Sequence, residues 1–245
     1  MKIVSLGVGE AFDERYYNNS HLVISNEKVI LLDCGYAISN QIWKYCPDVS
    51  FIDSIYISHL HADHCFGLPP LIVRMREEKR KKPLTIISMN NEKLKQIIKN
   101  GYPKALDNPP FKIEFIEVKP SKKIRLGTLD LTFAATSHSI PNLAVRLSNE
   151  KNIICYSGDG RDTDESRALY ENADLVIHEC YKIDESMEDH SSLIDLIPLI
   201  SNQDIKHLFL THIHRNSREK LIKYIQTKKY RNISIPNPMN IYLLE

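Results

Sequence analysis

The chain has 245 residues, 26% of them charged, and a net charge of +1. This length suffices for one large hydrophobic core, so we expect a single domain over residues 1–245. The near-zero net charge provides no global field for a nucleic acid or a membrane surface, and the sequence has no run of about 18 apolar residues that could span a bilayer.

The first two thirds of the chain predict strands joined by short connections. Apolar runs rich in β-branched residues predict strands at residues 2–8, 21–25, 28–33, 51–58, 84–88, 111–118, 123–125, 129–136, 143–147 and 152–156. Helical spacing and capping signals predict helices at residues 37–45, 67–82 and 90–100. Asn26-Glu27 is typical of a tight hairpin turn, and the proline-containing stretch at residues 101–110 is predicted to form a long loop.

The last third of the chain alternates helices with strands. We predict helices at residues 162–171, 191–201 and 216–228, and strands at residues 173–178, 207–211 and 240–244. A series of strands followed by strand–helix alternation indicates sheets that are covered by outer helices. The sequence therefore predicts an α/β fold.

Four side chains that can ligate metals follow the strand at residues 51–58, and they are His59, His61, Asp63 and His64. Imidazoles and carboxylates are costly to bury unless something compensates them, and a divalent cation does so. Alternation at the strand end would put His59 and His61 on one side. Asp63 and His64, which come after the strand, can turn toward a second ion. The cluster predicts two cations that share one loop.

Two cations need more than four ligands, and three further candidates follow other apolar strands. These candidates are His138, Asp159 and His212. Asp159 lies in Ser-Gly-Asp-Gly, where the flanking glycines allow a tight turn. Taken singly, Asp159 could be a turn former, and the two histidines could be exposed strand ends. Taken with the cluster, they predict one shared site at the edge of a sheet.

The motif His-x-His-x-Asp-His, a later lone His, a Gly-Asp-Gly aspartate and a final Thr-His together resemble the metallo-β-lactamase-fold hydrolases. The resemblance implies a four-layer αββα sandwich with the site at the sheet edge. It implies that one metal is held by His59, His61 and His138, that the other is held by Asp63, His64 and His212, and that Asp159 bridges them. Asp33, in Leu-Leu-Asp-Cys-Gly, resembles the buried aspartate that supports the metal loop in this superfamily.

A second set of motifs is similar to one branch of that superfamily, the ribonuclease Z-like phosphodiesterases. These motifs are Ile177-His-Glu-Cys180, Asp189-His-Ser-Ser192, and Ser5-Leu-Gly-Val-Gly-Glu with Asn19-Ser20. The resemblance makes His190 and Glu179 catalytic candidates, and Asp63 of the histidine-rich cluster is the third. Residues 189–192 could equally cap a helix, and Glu179 could orient a histidine or support a metal ligand.

The chain departs from ribonuclease Z between His138 and Asp159. Those enzymes insert a long tRNA-gripping arm at the matching position, whereas only twenty residues separate the two here. This spacing is similar to the phosphonate-pathway cyclic phosphodiesterases of the same branch. Some of those carry an extra zinc bound by N-terminal cysteines. The first cysteine here is Cys34, so we expect no such third site.

The predicted function is a dinuclear phosphodiesterase acting on a small or cyclic phosphodiester. Two cations can hold a bridging hydroxide that attacks phosphorus. His190 is the candidate that protonates or stabilises the leaving alkoxide. The imidazole-rich ligand set favours zinc, although its mixed nitrogen and oxygen donors also suit manganese or iron.

Three alternative functions remain open from the sequence. They are a tRNA 3′-end endoribonuclease that lacks the arm, a lactone or thioester hydrolase, and a non-catalytic binding protein on the same fold. The basic runs at residues 74–82 and 119–125 favour solvated faces rather than an RNA site, because few aromatic residues interleave with them. A homodimer is possible, and no membrane partner is expected.

The cysteines and the N-terminus predict a cytoplasmic protein. Five scattered cysteines without a Cys-x-x-Cys pair indicate reduced thiols rather than a disulfide framework. The first apolar run is too short for a signal peptide. We expect substrate specificity to reside in loops such as residues 10–19 and 101–110.

Overall fold

In the computed structural model, residues 1–184 and 187–244 are described. The first sheet contains β1 (Lys2–Gly7), β2 (Ser20–Ile24), β3 (Val29–Leu32), β4 (Ser54–Ile57), β5 (Leu84–Ser88), β6 (Ile113–Glu117) and β14 (Ile241–Leu243). The second sheet contains β7 (Lys123–Leu126), β8 (Leu129–Thr136), β9 (Asn142–Ser148), β10 (Ile153–Tyr156), β11 (Leu175–Glu179), β12 (Leu208–Thr211) and β13 (Ile233–Ser234). Their orders are β14-β1-β2-β3-β4-β5-β6 and β13-β12-β11-β10-β9-β8-β7.

The helices are α1 (Ile38–Tyr45), α2 (Ala62–Cys65), α3 (Leu68–Glu77), α4 (Asn91–Gly101), α5 (Asp164–Leu169), α6 (Leu193–Asn202) and α7 (Arg218–Lys228). Among residues 1–184 and 187–244, no helix is both long enough and apolar enough to cross a membrane.

Three buried clusters of side chains define four layers. The central cluster lies between the sheets and joins Leu32 and Tyr56 of the first sheet to Phe133 and Ile177 of the second. A second cluster lies between the first sheet and helices α1, α3 and α4. A third lies between the second sheet and helices α6 and α7. This arrangement confirms the predicted αββα sandwich, because each sheet buries both of its faces.

The two sheets present the ends of several strands at one edge. In the first sheet, β3, β4 and β5 run parallel. In the second, β10, β11 and β12 run parallel, and β8 has the same direction because both β8 and β10 are antiparallel to β9. The residues that follow these strands therefore meet at a common edge, where ligands bind in sheets of this type.

The structure corrects several predicted boundaries. The strand expected at residues 51–58 is shorter, and Asp63 and His64 lie on the unpredicted helix α2 rather than in open loop. The helix expected at residues 67–82 ends at Glu77, and Lys79 adopts a left-handed backbone. This turn buries Arg80, whose guanidinium donates to the carbonyl oxygens of residues 49, 52, 82 and 83. Arg80 is therefore not part of a solvated face.

Candidate metal centre

Three imidazoles converge at the edge of the sheets. Nδ1 of His61 lies 3.1 Å from Nε2 of His59 and 3.2 Å from Nε2 of His138. His59 follows β4 and His138 follows β8, so the two sheets each contribute to the group. Three ring nitrogens facing one point match the donor set of a zinc-type ion.

Acceptors on the far side of three rings set their tautomers. Nδ1 of His59 lies 3.0 Å from the hydroxyl oxygen of Ser58, which itself donates to Asp33. Nδ1 of His64 donates to Oδ2 of Asp33 at 2.7 Å, and Nδ1 of His138 donates to the carbonyl oxygen of Asp189 at 2.9 Å. Each ring therefore turns an Nε2 lone pair toward the centre, as metal ligation requires.

A second group adjoins the first and contains both carboxylates. Its members are Asp63, His64, Asp159 and His212, all of which are buried. Oδ2 of Asp159 lies 3.3 Å from Nε2 of His64, 3.2 Å from Nε2 of His212 and 3.8 Å from Nε2 of His59. Asp159 thus touches both groups, which is the position the resemblance implied for a bridging ligand.

Tight backbone geometry holds Asp159 and His212 in place. Gly158 and Gly160 both have positive φ angles, and a Cβ at Gly160 would lie 2.6 Å from the carbonyl oxygen of Ser137. His212 also has a positive φ, and its N–H donates to the carbonyl oxygen of Val8. Such strained residues cluster at functional sites.

The charges in the second group call for a cation. Burial favours the neutral acid, but the imidazoles of His212 and His64 outweigh it and hold the pKa of Asp159 well below its usual range. Burial lowers the pKa of His212, yet Asp159 and Asp63 raise it to about 9. The two buried carboxylates thus attract positive charge, which a divalent ion would supply while leaving the imidazoles neutral.

Atoms without partners give a further test of fit. Among residues 1–184 and 187–244, Nε2 of His64 and Oδ1 of Asp159 are buried and make no hydrogen bond. Nε2 of His64 nevertheless lies 3.2 Å from Oδ2 of Asp63. Buried polar atoms are seldom left unpaired. Nitrogen and oxygen atoms that face one another without a hydrogen bond are placed as ligands of a metal ion would be. The residues present therefore suit the divalent ions typical of this fold.

His190 lies beside these groups, held by Glu179. Its Nδ1 is 3.2 Å from Oε1 of Glu179, and its ring stacks on Tyr181 and lies 5.4 Å from the ring of His138. Burial lowers the pKa of His190, but the hydrogen bond and charge of Glu179 raise it above the usual value. His190 also lies at the start of α6, where the side chain of Ser192 caps the helix. The capping and site-facing interpretations of this segment both hold.

Glu179 is fully buried, and its contact on the site side is with His190. Its Oε1 also accepts hydrogen bonds from the backbone N–H groups of Gly160 and Ser191. One carboxylate oxygen therefore ties His190 to the turn that carries Asp159.

Sequence reasoning identified Asp33 but missed the side chains that hold it. Tyr156 donates to Oδ2 of Asp33 at 2.6 Å, and Asn19 donates to the phenol of Tyr156 at 3.3 Å. The hydroxyl of Ser20 donates to the carbonyl oxygen of Asp33. Asn19 and Ser20 therefore help to hold Asp33, which in turn contacts His64. The contact with Tyr156 could not be predicted because a tyrosine in an apolar strand resembles any other strand residue.

The two loops expected to set specificity lie in different surroundings. In the loop at residues 10–19, Glu10 pairs with Arg215, three residues after His212. Residues 105 and 107, in the other loop, accept hydrogen bonds from Arg76 of α3. The first loop thus adjoins the site, whereas the second is bound to a helix on the outer layer.

Comparisons with known proteins agree with this geometry. A family profile described as "Anti-Pycsar protein Apyc1" matches residues 1–234. A ribonuclease Z of Macrococcus caseolyticus is 24% identical, with 100% of each chain covered. The anti-Pycsar protein Apyc1 of Bacillus phage 010DV004 is 26% identical, with 91% of this chain and 93% of the relative covered.

A solved structure identifies the fold by name. The metallo-beta-lactamase fold protein YhfI from Bacillus subtilis superposes with a TM-score of 0.83 at 21% identity, covering 98% of each chain. The resemblance to metallo-β-lactamase-fold hydrolases of the ribonuclease Z-like branch is confirmed. These comparisons establish that the chain is a hydrolase of this fold.

Proposed function

The chain belongs to the family of the anti-Pycsar protein Apyc1, and from that premise we propose that it is a dinuclear phosphodiesterase acting on a small or cyclic phosphodiester. The observation that carries the proposal is the pair of donor groups that share Asp159. Its Oδ2 lies 3.2 Å from His212 in one group and 3.8 Å from His59 in the other. Two adjoining cation sites suit a phosphoryl group, which presents several oxygens at once.

In this proposal one ion is held by His59, His61 and His138, the other by Asp63, His64 and His212, and Asp159 contacts both. Bound ions would supply Lewis acidity to the phosphoryl oxygens and lower the pKa of a water nucleophile. The predominance of imidazole favours zinc, and the two carboxylates also suit manganese or iron.

His190 is the proposed proton donor to the leaving oxygen. Its Nδ1 is committed to Glu179, so Nε2 is the atom that faces away from that carboxylate. The side chain retains 18% exposure beside the ring of His138, which leaves it open to a substrate. A donor in this position assists an alkoxide leaving group, which departs poorly without a proton.

The short segment between His138 and Asp159 supports a small substrate. Its twenty residues include β9 and β10, which pair with each other as an antiparallel hairpin. Little chain remains there for a gripping arm. The M. caseolyticus alignment extends over 308 positions, against 245 residues here, so that relative has segments with no counterpart in this chain. Nucleoside cyclic monophosphates are therefore the first substrates to test.

A tRNA 3′-end nuclease is the second candidate, because several relatives are named ribonuclease Z. The three arginines of the basic run at residues 74–82 count against it, although Lys79 and Lys81 of the same run are exposed. Arg74 pairs with Glu78, Arg76 donates to backbone carbonyl oxygens, and Arg80 is buried. Cations that serve the fold in this way are not available to a phosphate backbone.

The decisive assay uses purified, metal-loaded protein on a substrate panel. The panel contains 2′,3′-cyclic, 3′,5′-cyclic and linear phosphodiesters, a precursor tRNA, a lactone and a thioester. We expect the protein to hydrolyse a small diester and Asp159→Asn to lose this activity. The matched control Asp174→Asn should retain it, because Asp174 pairs with Lys206 and is not one of the candidate ligands. Hydrolysis of the lactone or thioester alone would overturn the proposal. Cleavage of precursor tRNA alone would favour the second candidate.

A further inference from the structure

A cleft of about 230 Å³ adjoins the metal centre at His59. It lies where β4 and β5 end side by side, since Ile57 and Ser88 are paired in the parallel ladder. Leu60 follows the first strand and Met89 the second, and both line the cleft. The carboxyl ends of adjacent parallel strands are the usual place for a ligand in sheets of this type.

The walls of this cleft are apolar, in contrast to the metal centre beside it. Leu60 and Met89 face Ile140 and Pro141, which belong to the connection between β8 and β9, just after His138. Leu60, Met89 and Ile140 are each partly exposed, so they are not sealed in the core. An apolar cleft next to polar ligands is typical of a site that binds the planar or apolar part of a substrate.

Two hydrogen-bond donors complete the lining. Asn90 caps α4 through its Oδ1, which accepts the N–H of Lys93 at 3.0 Å, so its amide nitrogen is left for another partner. The side chain of Lys93 is exposed, and none of the carboxylates in residues 1–184 and 187–244 pairs with it. A purely aliphatic substituent would leave these donors unused, and a second phosphate would gain nothing from the apolar walls.

A nucleobase fits both halves of this lining, because it has apolar faces and an edge of ring-nitrogen and carbonyl acceptors. We propose that the cleft binds the nucleobase of a nucleoside phosphodiester whose phosphate lies at the metal centre, with Met89 and Lys93 setting specificity. This inference rests on the proposed phosphodiesterase function. The ring of His138 lies 4.9 Å from that of His59 and 5.4 Å from that of His190, so one substrate can reach both the cleft and the proton donor.

The test fills the cleft with Met89→Trp and removes its cation with Lys93→Met. Matched controls are Ile241→Trp, at an exposed residue of β14, and Lys99→Met, in the last turn of α4. KM and kcat are measured for nucleoside 3′,5′-cyclic monophosphates and for methyl p-nitrophenyl phosphate, which has no base. Calorimetry of nucleoside 5′-monophosphate binding provides a readout that is independent of turnover.

We expect both cleft variants to raise KM for the nucleoside substrates about tenfold and to weaken nucleotide binding in parallel. Their kcat/KM for methyl p-nitrophenyl phosphate should stay within about twofold of the control variants. Equal losses on both substrates, or an unchanged KM for the nucleosides, would overturn the cleft assignment.

The wild-type protein separates the two proposals. If it hydrolyses methyl p-nitrophenyl phosphate but no nucleoside diester, the cleft assignment is wrong and the phosphodiesterase function stands. If it hydrolyses no phosphodiester at all, the proposed function itself fails.

Discussion

The phenol of Tyr156 donates a 2.6 Å hydrogen bond to Oδ2 of Asp33, the same oxygen that accepts Nδ1–H of His64 at 2.7 Å. Tyr156 and Asp33 are both fully buried. Tyr156 thus fixes the carboxylate that in turn fixes a candidate metal ligand. Residues that hydrogen-bond to the ligands of a metal, rather than to the metal itself, typically change its affinity by about 10- to 100-fold.

Tyr156→Phe should therefore weaken metal binding. We expect the dissociation constant of the more weakly held ion to rise about tenfold, measured by competition with a chromophoric chelator. Tyr56→Phe is the matched control, because Tyr56 is equally buried but donates to the carbonyl oxygen of Leu143. Tyr156→Phe loses two buried hydrogen bonds, the one to Asp33 and the one from Asn19, whereas Tyr56→Phe loses one. We therefore expect stability losses of about 2 kcal/mol and about 1 kcal/mol, respectively. Equal metal affinities in the two variants would remove the supporting role of Tyr156.

His190→Ala tests the proton donor. Turnover of diesters with poor alkoxide leaving groups should fall about 100-fold or more, because the departing oxygen no longer receives a proton. Activated aryl diesters, which leave as weak bases, should lose much less. His207→Ala is the control, since His207 lies at the far end of β12 and contacts Ser234. The proton-donor role does not survive if both classes of ester slow equally.

Glu179 is tested by two substitutions that separate charge from packing. The amide oxygen of Glu179→Gln can still accept from Gly160 and Ser191, so the fold and the metals should be retained. Its turnover with poor leaving groups should nevertheless fall about tenfold, because the imidazolium of His190 loses its counter-charge. Glu179→Ala leaves buried donors unpaired and should lower stability by about 1–3 kcal/mol per unsatisfied group.

A loss of activity on aryl and alkyl esters alike in Glu179→Gln would contradict this assignment. Thermal melting of both variants, with metal content measured on the same samples, distinguishes the outcomes.

His178 should make stability depend on pH away from the metal centre. Its Nε2 lies 2.8 Å from Oδ1 of Asp162, and its Nδ1 lies 2.7 Å from the carbonyl oxygen of Glu179. Burial lowers the pKa of His178, but the adjacent Asp162 outweighs burial and raises it above 6.5. A histidine whose pKa is raised by folding stabilises the folded state. This stabilisation is complete at pH values below the pKa in the unfolded chain, and it is lost as the pH rises through the pKa in the folded state.

The measurement compares melting temperatures of the wild-type protein and His178→Gln across the pH range. The wild-type protein should melt at the higher temperature, and the difference between the two melting temperatures should be largest below about pH 6.5. This difference should decrease as the solution becomes alkaline. A difference in melting temperature that stays constant or increases with rising pH would show that His178 is not a buried cation.

The positions of the candidate ligands could be predicted from the sequence because each follows an apolar strand. His59, His138, Asp159 and His212 come after β4, β8, β10 and β12, and these strands end at a common edge. Because the strands were predicted to form sheets, the polar residues that follow them could be expected to lie together at the edge of those sheets. The family resemblance then supplied the division of these residues between two ions.

The partners across the sandwich could not be predicted. Tyr156 and Asp33 are 123 residues apart, and a tyrosine in an apolar strand signals burial without naming its acceptor. Arg80 was missed for a similar reason, since a cation within a charged run suggests solvent. Its burial depends on carbonyl oxygens that face it only once α1, β4 and β5 are packed.

Anomalous diffraction at the zinc edge, from crystals grown with zinc, decides whether this centre binds two ions. We expect two peaks, one among the nitrogens of His59, His61 and His138 and one among Asp63, His64 and His212, with Asp159 between them. We also expect Asp159→Asn to weaken both peaks. A centre without anomalous signal after soaking, or zinc bound elsewhere on the chain, would rule out the dinuclear site.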